Sequence, residues 1–283
     1  MSPEFHRHAR AVTTFAALVF AAAVSACLSD AGSTPARDAG AADAQVASDA
    51  GQASDADAGK ARYCATAKAA AYCEDFDGTT SLQALDVETN LSGPNPFAFT
   101  REVSRSDPRA LRFDLPAGAS APSYAVYKRA FDGTKLVRVE WDWLVSTAPE
   151  VEGLTLQFVT LKRRGPQVAL GRACSKTADG VRCDWYVAQC TTTFCDALHS
   201  LQAPPFLGTW ARVFLEARLT EQNGRLRFGM VGAAPLVDVA VDVKDAQPLQ
   251  PGDQTVLSIG GANLQGTSPG VSMFFDNVVV TTE

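Results

Sequence analysis

Turn-forming pairs recur from residue 63 to the end of this 283-residue chain: Asp77-Gly78, Asp132-Gly133, Asp179-Gly180, Asn223-Gly224 and Pro251-Gly252. Each sets glycine beside a residue suited to a tight reversal. Between them stand short runs rich in Val, Leu, Phe, Trp, Tyr and Thr, such as "LRFDLP" from Leu111, "SYAVYKRAF" from Ser123, "LTLQFVTLK" from Leu154 and "VRCDWYVAQ" from Val181. About eleven such runs can be read, and no long amphipathic helix competes with them. Many short strands with turns at this spacing make an all-β sandwich or barrel. "WARVFLEARL" from Trp210 has a helical look, but Val213 and Leu215 alternate as a strand requires.

The run "VRVEWDWLV", Val137 to Val145, shows how such a strand divides. Side chains alternate along a strand, so Val137, Val139, Trp141, Trp143 and Val145 share one face, and Arg138, Glu140, Asp142 and Leu144 share the other. The first face reads as core. The second is polar and could line a ligand surface, with Arg138 pairing to a carboxylate across the sheet.

The chain before residue 63 has a different character. Arg7 and Arg10 precede a small apolar stretch, Ala11 to Ala26, in the pattern of a secretory signal,. The stretch is shorter and richer in alanine than a membrane-spanning helix, which needs about 20 strongly apolar residues. Its end, Val24-Ser25-Ala26-Cys27, resembles a bacterial lipobox, which implies a lipid on Cys27 and residues 1–27 as the signal segment. By the same resemblance the non-acidic Leu28 implies delivery to the outer membrane or cell surface. Residues 28–62 are almost wholly Ala, Asp, Gly and Ser, with too little apolar surface to offset the entropy of ordering,. They read as a hydrated tether whose coil would span roughly 30 Å. Residues 63–283 remain as one domain.

The chain has seven cysteines. Setting Cys27 aside leaves Cys64, Cys73, Cys174, Cys183, Cys190 and Cys195, an even set suited to disulfides in an oxidising compartment. Cys174 and Cys183 flank a turn at Thr177 to Gly180, which would set them opposite each other on adjacent strands. Cys64 with Cys73, and Cys190 with Cys195 across a rim loop, are the remaining local pairs. No Cys-x-x-Cys spacing supports zinc. The net charge of -6, with no long basic run, argues against nucleic acid as a partner,.

Three stretches, "YCEDFDG" (Tyr72 to Gly78), "GTWARVFLEARL" (Gly208 to Leu219) and "LSIGGANLQGTSPGVSMFFDNVVV" (Leu257 to Val280), resemble concanavalin A-like, laminin-G-like jelly rolls. The resemblance implies a jelly-roll sandwich of two antiparallel sheets with the first and last strands side by side. It implies no single activity, because jelly rolls host lectins, adhesins, hydrolases and lyases, and function must be argued from a site.

Glu140 and Asp142 match the first two positions of the Glu-x-Asp-x-Glu strand of laminarinase-type jelly-roll hydrolases. The third position falls on Leu144 or Val145, which cannot move a proton, whereas glycoside hydrolysis needs two carboxyl groups in distinct roles. No catalytic residue is therefore assigned. His199, the one histidine after the signal segment, sits in what reads as a loop, and no Gly-x-Ser-x-Gly elbow accompanies it,. Tyr186 with Arg172 could be imagined as a lyase pair, although nothing in their spacing selects them. If Cys174 pairs with Cys183, Asp184 and Tyr186 overlook Ala173 and Gly171, either as a shallow sugar-stacking groove or as ordinary core. The tryptophans, Trp210 included, read as core. No cofactor is required. Asp75 and Asp77 near the first strand could meet Asp276 near the last and hold a structural calcium; otherwise Asp276-Asn277 caps a strand end. These readings lead to a lipid-anchored surface module that binds a glycan or a protein partner without catalysis, touching the membrane only through its lipid. The alternatives are a polysaccharide hydrolase or lyase, and a structural envelope component.

Overall fold

The structure is a computed structural model, and it describes residues 63–67, 70–77, 82, 85–132, 135–163, 167–190, 195–201, 204–219, 224–241 and 250–283. Cys27, the signal segment and the tether lie outside the described residues, as do Gly78, Gly133 and Asn223 of the turn pairs.

Two antiparallel sheets face each other as a jelly-roll sandwich. The eight-stranded sheet runs β13 (Pro235–Val241), β12 (Gly224–Met230), β11 (Ala211–Arg218), β6 (Leu136–Thr147), β15 (Val271–Thr282), β4 (Ala110–Leu115) and β3 (Phe97–Thr100), with β1 (Tyr72–Glu74) also on β15. The seven-stranded sheet runs β10 (Cys195–Leu201), β9 (Gly180–Cys190), β8 (Gln167–Thr177), β7 (Thr155–Arg163), β14 (Gln254–Gln265), β5 (Ser123–Asp132) and β2 (Asp86–Thr89). The described helix is one turn, α1 (Tyr63–Thr66). The first strand lies on the last, Tyr72 opposite Val280 and Glu74 opposite Val278. "WARVFLEARL" is strand, not helix, because both β6 and β12 bond to it and its alternate residues Val213, Leu215 and Ala217 enter the core.

The core lies between the sheets. Val137, Val139, Trp141, Trp143 and Val145 of β6 are all buried in it. Trp143 stacks on Phe206 at 4.0 Å between ring centres and meets Trp185 edge-on at 5.5 Å. Trp210 departs from the expectation of core. It is half-buried just before β11, against Phe274 at 6.5 Å on the outer side of the eight-stranded sheet. Its parity explains this, since it differs by an odd number from the inward Val213 and so falls on the outward face.

Two further expectations change. His199 lies in strand β10, opposite Val187, rather than in a loop. Its run is too short and too polar to read as a strand alone, and pairing with β9 holds it. Cys190 and Cys195, at the end of β9 and the start of β10, stand opposite each other, as a local pair requires. Asp276-Asn277 caps no strand end. It sits inside β15 at a bulge, where the register shifts between Asp276 and Val279 and Asn277 takes φ +49°. Asparagine tolerates that left-handed backbone better than most residues.

The disulfides join Cys64 to Cys73 and Cys174 to Cys183, and Cys190 is also disulfide-bonded. The first ties α1 to β1 and the second closes the β8–β9 hairpin.

Candidate functional site

The polar residues of "VRVEWDWLV" lie on the outer face of the eight-stranded sheet, and charge pairing consumes them. Asp142 accepts from Arg212 Nη1 at 3.0 Å and Asn277 Nδ2 at 2.9 Å. Arg212 also reaches Glu140 at 3.5 Å, Arg138 bonds Glu140 at 2.8 Å and Glu216 at 3.1 Å, and Arg227 bonds Glu216 at 3.0 Å. Arg227 then meets Asp238 at 3.6 Å, which Arg225 grips with two hydrogen bonds. An alternating ladder of acids and guanidiniums thus crosses β6, β11, β12 and β13. Phe214 lies under it, with Arg138 4.0 Å from its ring centre, and Tyr63 of α1 covers the Arg212 end at 4.7 Å. Burial raises the Glu216 carboxyl pKa, but the guanidiniums of Arg227 and Arg138 outweigh it and hold the group below its usual range. Arg138, Glu140 and Asp142 are thus placed in a neutralised brace between strands.

The seam between the first and last strands gathers Asp75, Asp77 and Asp276 less closely than calcium needs. Asp75 accepts from the backbone N–H of Cys64 and of Asp77, and Asp77 accepts from that of Arg109. Asp276 accepts from the N–H groups of Arg105, Ser106 and Asn277 and from the Ser106 hydroxyl. Among the described residues no three His, Cys, Asp or Glu side chains gather as a metal group. Carboxylates turned toward N–H and O–H donors do not present the convergent free oxygens that calcium takes, so this donor set does not fit the ion.

Asp276 is fully buried, and burial pushes its carboxyl pKa up to about 7 against its hydrogen-bond donors. A carboxyl with a raised folded pKa stabilises the fold below its unfolded value near 3.8, and that contribution is lost as pH rises through about 7,. The three-unit difference corresponds to about 4 kcal/mol,. Denaturant unfolding of Asp276→Asn should therefore gain on the unaltered protein between pH 4 and pH 8, by an amount of that order. A variant that instead loses ground as pH rises would show that the donors, not burial, govern the group.

Asp184 and Tyr186 do face Ala173 and Gly171 across β8 and β9. A side chain at Gly171 would come within 2.4 Å of the Tyr186 hydroxyl, so the phenol lies flat on the glycine. Tyr186 is only 3% exposed and donates its proton to Leu156 O at 3.0 Å, and burial pushes its pKa well up. It is filling for a small outer cluster with Ala188, Cys190 and Leu264, not an open stacking platform. Asp184 pairs with Arg182 at 3.1 Å. Arg172 opposes Trp185 on the inner face of the same sheet, where it donates to Ala148 O and Pro149 O, so it cannot act with Tyr186.

The open concavity lies elsewhere on that sheet. A groove with about 320 Å³ of space crosses β5, β14, β7 and the start of β8 on the outer face. Strand register builds it from transverse rows. Lys128, Ser258, Thr160 and Ala169 form one, and Tyr124, Ala262, Gln157 and Gly171 the next. Val256, Lys162 and Gln167 form a third. Ser258 and Ala262 of β14 are the small residues of its floor, and longer side chains on β5, β7 and the start of β8 rise around them. At the usual spacing of about 4.8 Å between strands, four strands span about 14 Å.

Gln157 is 6% exposed, and among the described residues its Nε2 has no acceptor at hydrogen-bonding geometry. It lies near enough to the Tyr186 hydroxyl to oppose slightly the effect of burial there. Glu88, the single carboxylate on the groove, accepts from Tyr124 at 2.9 Å and pairs with Lys128, whose charge holds its pKa low. The sequence reading missed this surface. Alternation marks Tyr124 and Lys128 as outward, but bulges between Gln157 and Val159 and between Ile259 and Ala262 break the two-residue period on β7 and β14,.

No protein-family model matches the chain, and no curated protein matches it in sequence. Solved structures do match the fold. The chain resembles Cellulose induced protein, Cip1, at 11% identity and TM-score 0.52, covering 75% of this chain and 97% of that one. The CBM2 module of the evolved Dit of Lactobacillus casei BL23 phage J-1 matches at 10% identity and TM-score 0.45, covering 74% and 93%. An endo-β-1,4-glucuronan lyase from the fungus Trichoderma reesei matches at 12% identity and TM-score 0.44, covering 76% and 96%. At 11% identity the likeness to Cip1 bears on the fold alone and leaves activity to the residues.

Proposed function

We propose that this chain is a non-catalytic glycan-binding module, lipid-anchored at Cys27 and carried off the cell surface by residues 28–62, that takes a polysaccharide segment in the groove of its seven-stranded sheet. The observation that carries the reading is the groove itself: an open, pre-formed trough with amide, hydroxyl and ammonium groups above a floor of small side chains. Such groups suit the hydroxyl-rich edge of a sugar chain, and the orphaned Gln157 amide is a donor ready for one. Hydrolysis is disfavoured by the arithmetic of carboxylates. Glycoside hydrolysis needs two; among the described residues only Glu88 lines the groove, and Lys128 and Tyr124 already engage it.

The test is a glycan array probed with the protein and with Gln157→Leu and Gln167→Leu, followed by a reducing-end assay on every hit. Binding that weakens about tenfold in either variant, without new reducing ends, is expected, since a lost hydrogen bond that leaves a buried partner unmatched costs about 1–3 kcal/mol. On intact cells, Cys27→Ala should move glycan binding from the cell surface to the medium. Release of reducing ends would make the protein an enzyme. Hits that ignore both variants would move the site off the groove.

A further inference from the structure

The groove has a charge that the rest of the molecule does not share. The protein is acidic, with a net charge of -6 at pH 7. Yet the outward rows of the groove carry two cations, Lys128 and Lys162, against one anion, Glu88, while Arg163 beside them is buried at 3% exposure. Lys128 is matched by Glu88 across β5 and β2. Lys162 is half-buried in the third row, flanked by Val256 on β14 and Gln167 on β7's other neighbour, β8. Among the described residues it has no carboxylate partner. Its neighbours in the row are an apolar side chain and an uncharged amide, and neither neutralises its charge.

An acidic protein repels an acidic polymer over most of its surface, but a cationic trough focuses the attraction at one place. A lysine held on a sheet face, partly shielded from water, contributes more to an anion than a freely solvated one, because a hydrogen bond to a charged group is worth about 1.5–3 kcal/mol. The Gln157 amide, which lacks an acceptor among the described residues, and the Gln167 side chain beside Lys162 add neutral groups that can donate to the same partner.

From this arrangement we infer that the groove selects an anionic glycan, one whose sugars carry carboxylate or sulfate, and that Lys162 is the residue that reads the charge. The inference rests on the glycan-binding reading of the groove and narrows it to a ligand class. It concerns binding only, so no bond is made or broken.

The experiment titrates the full chain with three oligosaccharides of equal length, a neutral β-glucan, an oligouronate and a sulfated glucan, each at low and high salt. The variants are Lys162→Gln and Lys162→Arg. The expected result is tight binding of at least one anionic ligand and weak binding of the neutral one. Affinity should fall as salt rises toward 1 M, where the screening length shrinks to about 3 Å. Lys162→Gln should weaken the anionic ligand about tenfold or more and leave the neutral one unchanged, while Lys162→Arg should retain the preference. The oligouronate and sulfated arms tell which anion the groove prefers. Neutral and anionic ligands bound equally, or weakened equally by Lys162→Gln, would overturn the anionic selection and leave the glycan groove standing. No binding of any of the three at millimolar concentration would overturn the groove reading, and this inference with it.

Discussion

Replacing Trp143 by alanine is expected to cost about 3–5 kcal/mol of folding stability, the range for large aromatic residues removed from a core. That is a large share of the roughly 5–15 kcal/mol by which domains are stable. Trp143 is the hub of the core. Its ring stacks on Phe206 at 4.0 Å, meets Trp185 at 5.5 Å, and lies 6.1 Å from both Phe158 and Phe275. It therefore joins β6 and β15 of one sheet to β7 and β9 of the other, and no single neighbour can fill the space it leaves. Trp143→Phe should cost clearly less. The indole Nε1 has no hydrogen-bond partner among the described residues, so the smaller ring gives up volume but also removes a buried, unmatched donor,. Urea unfolding of both variants checks this. Equal losses would mean that packing around the missing indole, and not the hub itself, sets the cost.

Asp142→Ala should be nearly as severe, at about 3 kcal/mol, for a different reason. The carboxylate is 3% exposed and receives both Arg212 and Asn277. Without it, the Asn277 amide loses its acceptor and Arg212 keeps Glu140 and the Asn277 carbonyl, at 3.5 and 3.1 Å. The cost lies in the buried Asn277 amide left without its acceptor and in the loss of the shortest ion pair of Arg212,. Removing both charges, as Asp142→Ala with Arg212→Met, should recover much of the loss. If Asp142 belonged to an active site, the single change would spare stability and abolish a product. The expected result is the reverse: a lower unfolding midpoint and no product lost.

The two carboxylates that most resemble a catalytic motif in the sequence are thus the ones the fold uses as a brace. "VEWDW" could not disclose this, because the guanidinium that ties both carboxylates together belongs to Arg212, about seventy residues away along the chain. The same limit hid the groove. Gln157, Ser258 and Lys128 meet only because β14 lies between β5 and β7, a neighbourhood set by crossovers of more than a hundred residues. Tyr186 was placed correctly over Gly171 by counting from a cysteine pair, yet its burial depended on Leu264 of β14.

What the sequence by itself determined was local: strands where apolar residues alternate, the turn at Asp179-Gly180, the inward face of β6, and two disulfides that each close a span of nine residues. These follow from backbone sterics and the two-residue period, which act over a few residues at a time. The tertiary structure alone decided which outward face is open and which is braced. That outcome depends on strand order, on bulges that shift the register of β7 and β14, and on charges paired across four strands. Each is a contact between distant segments, and alternation within a strand carries no record of its neighbours.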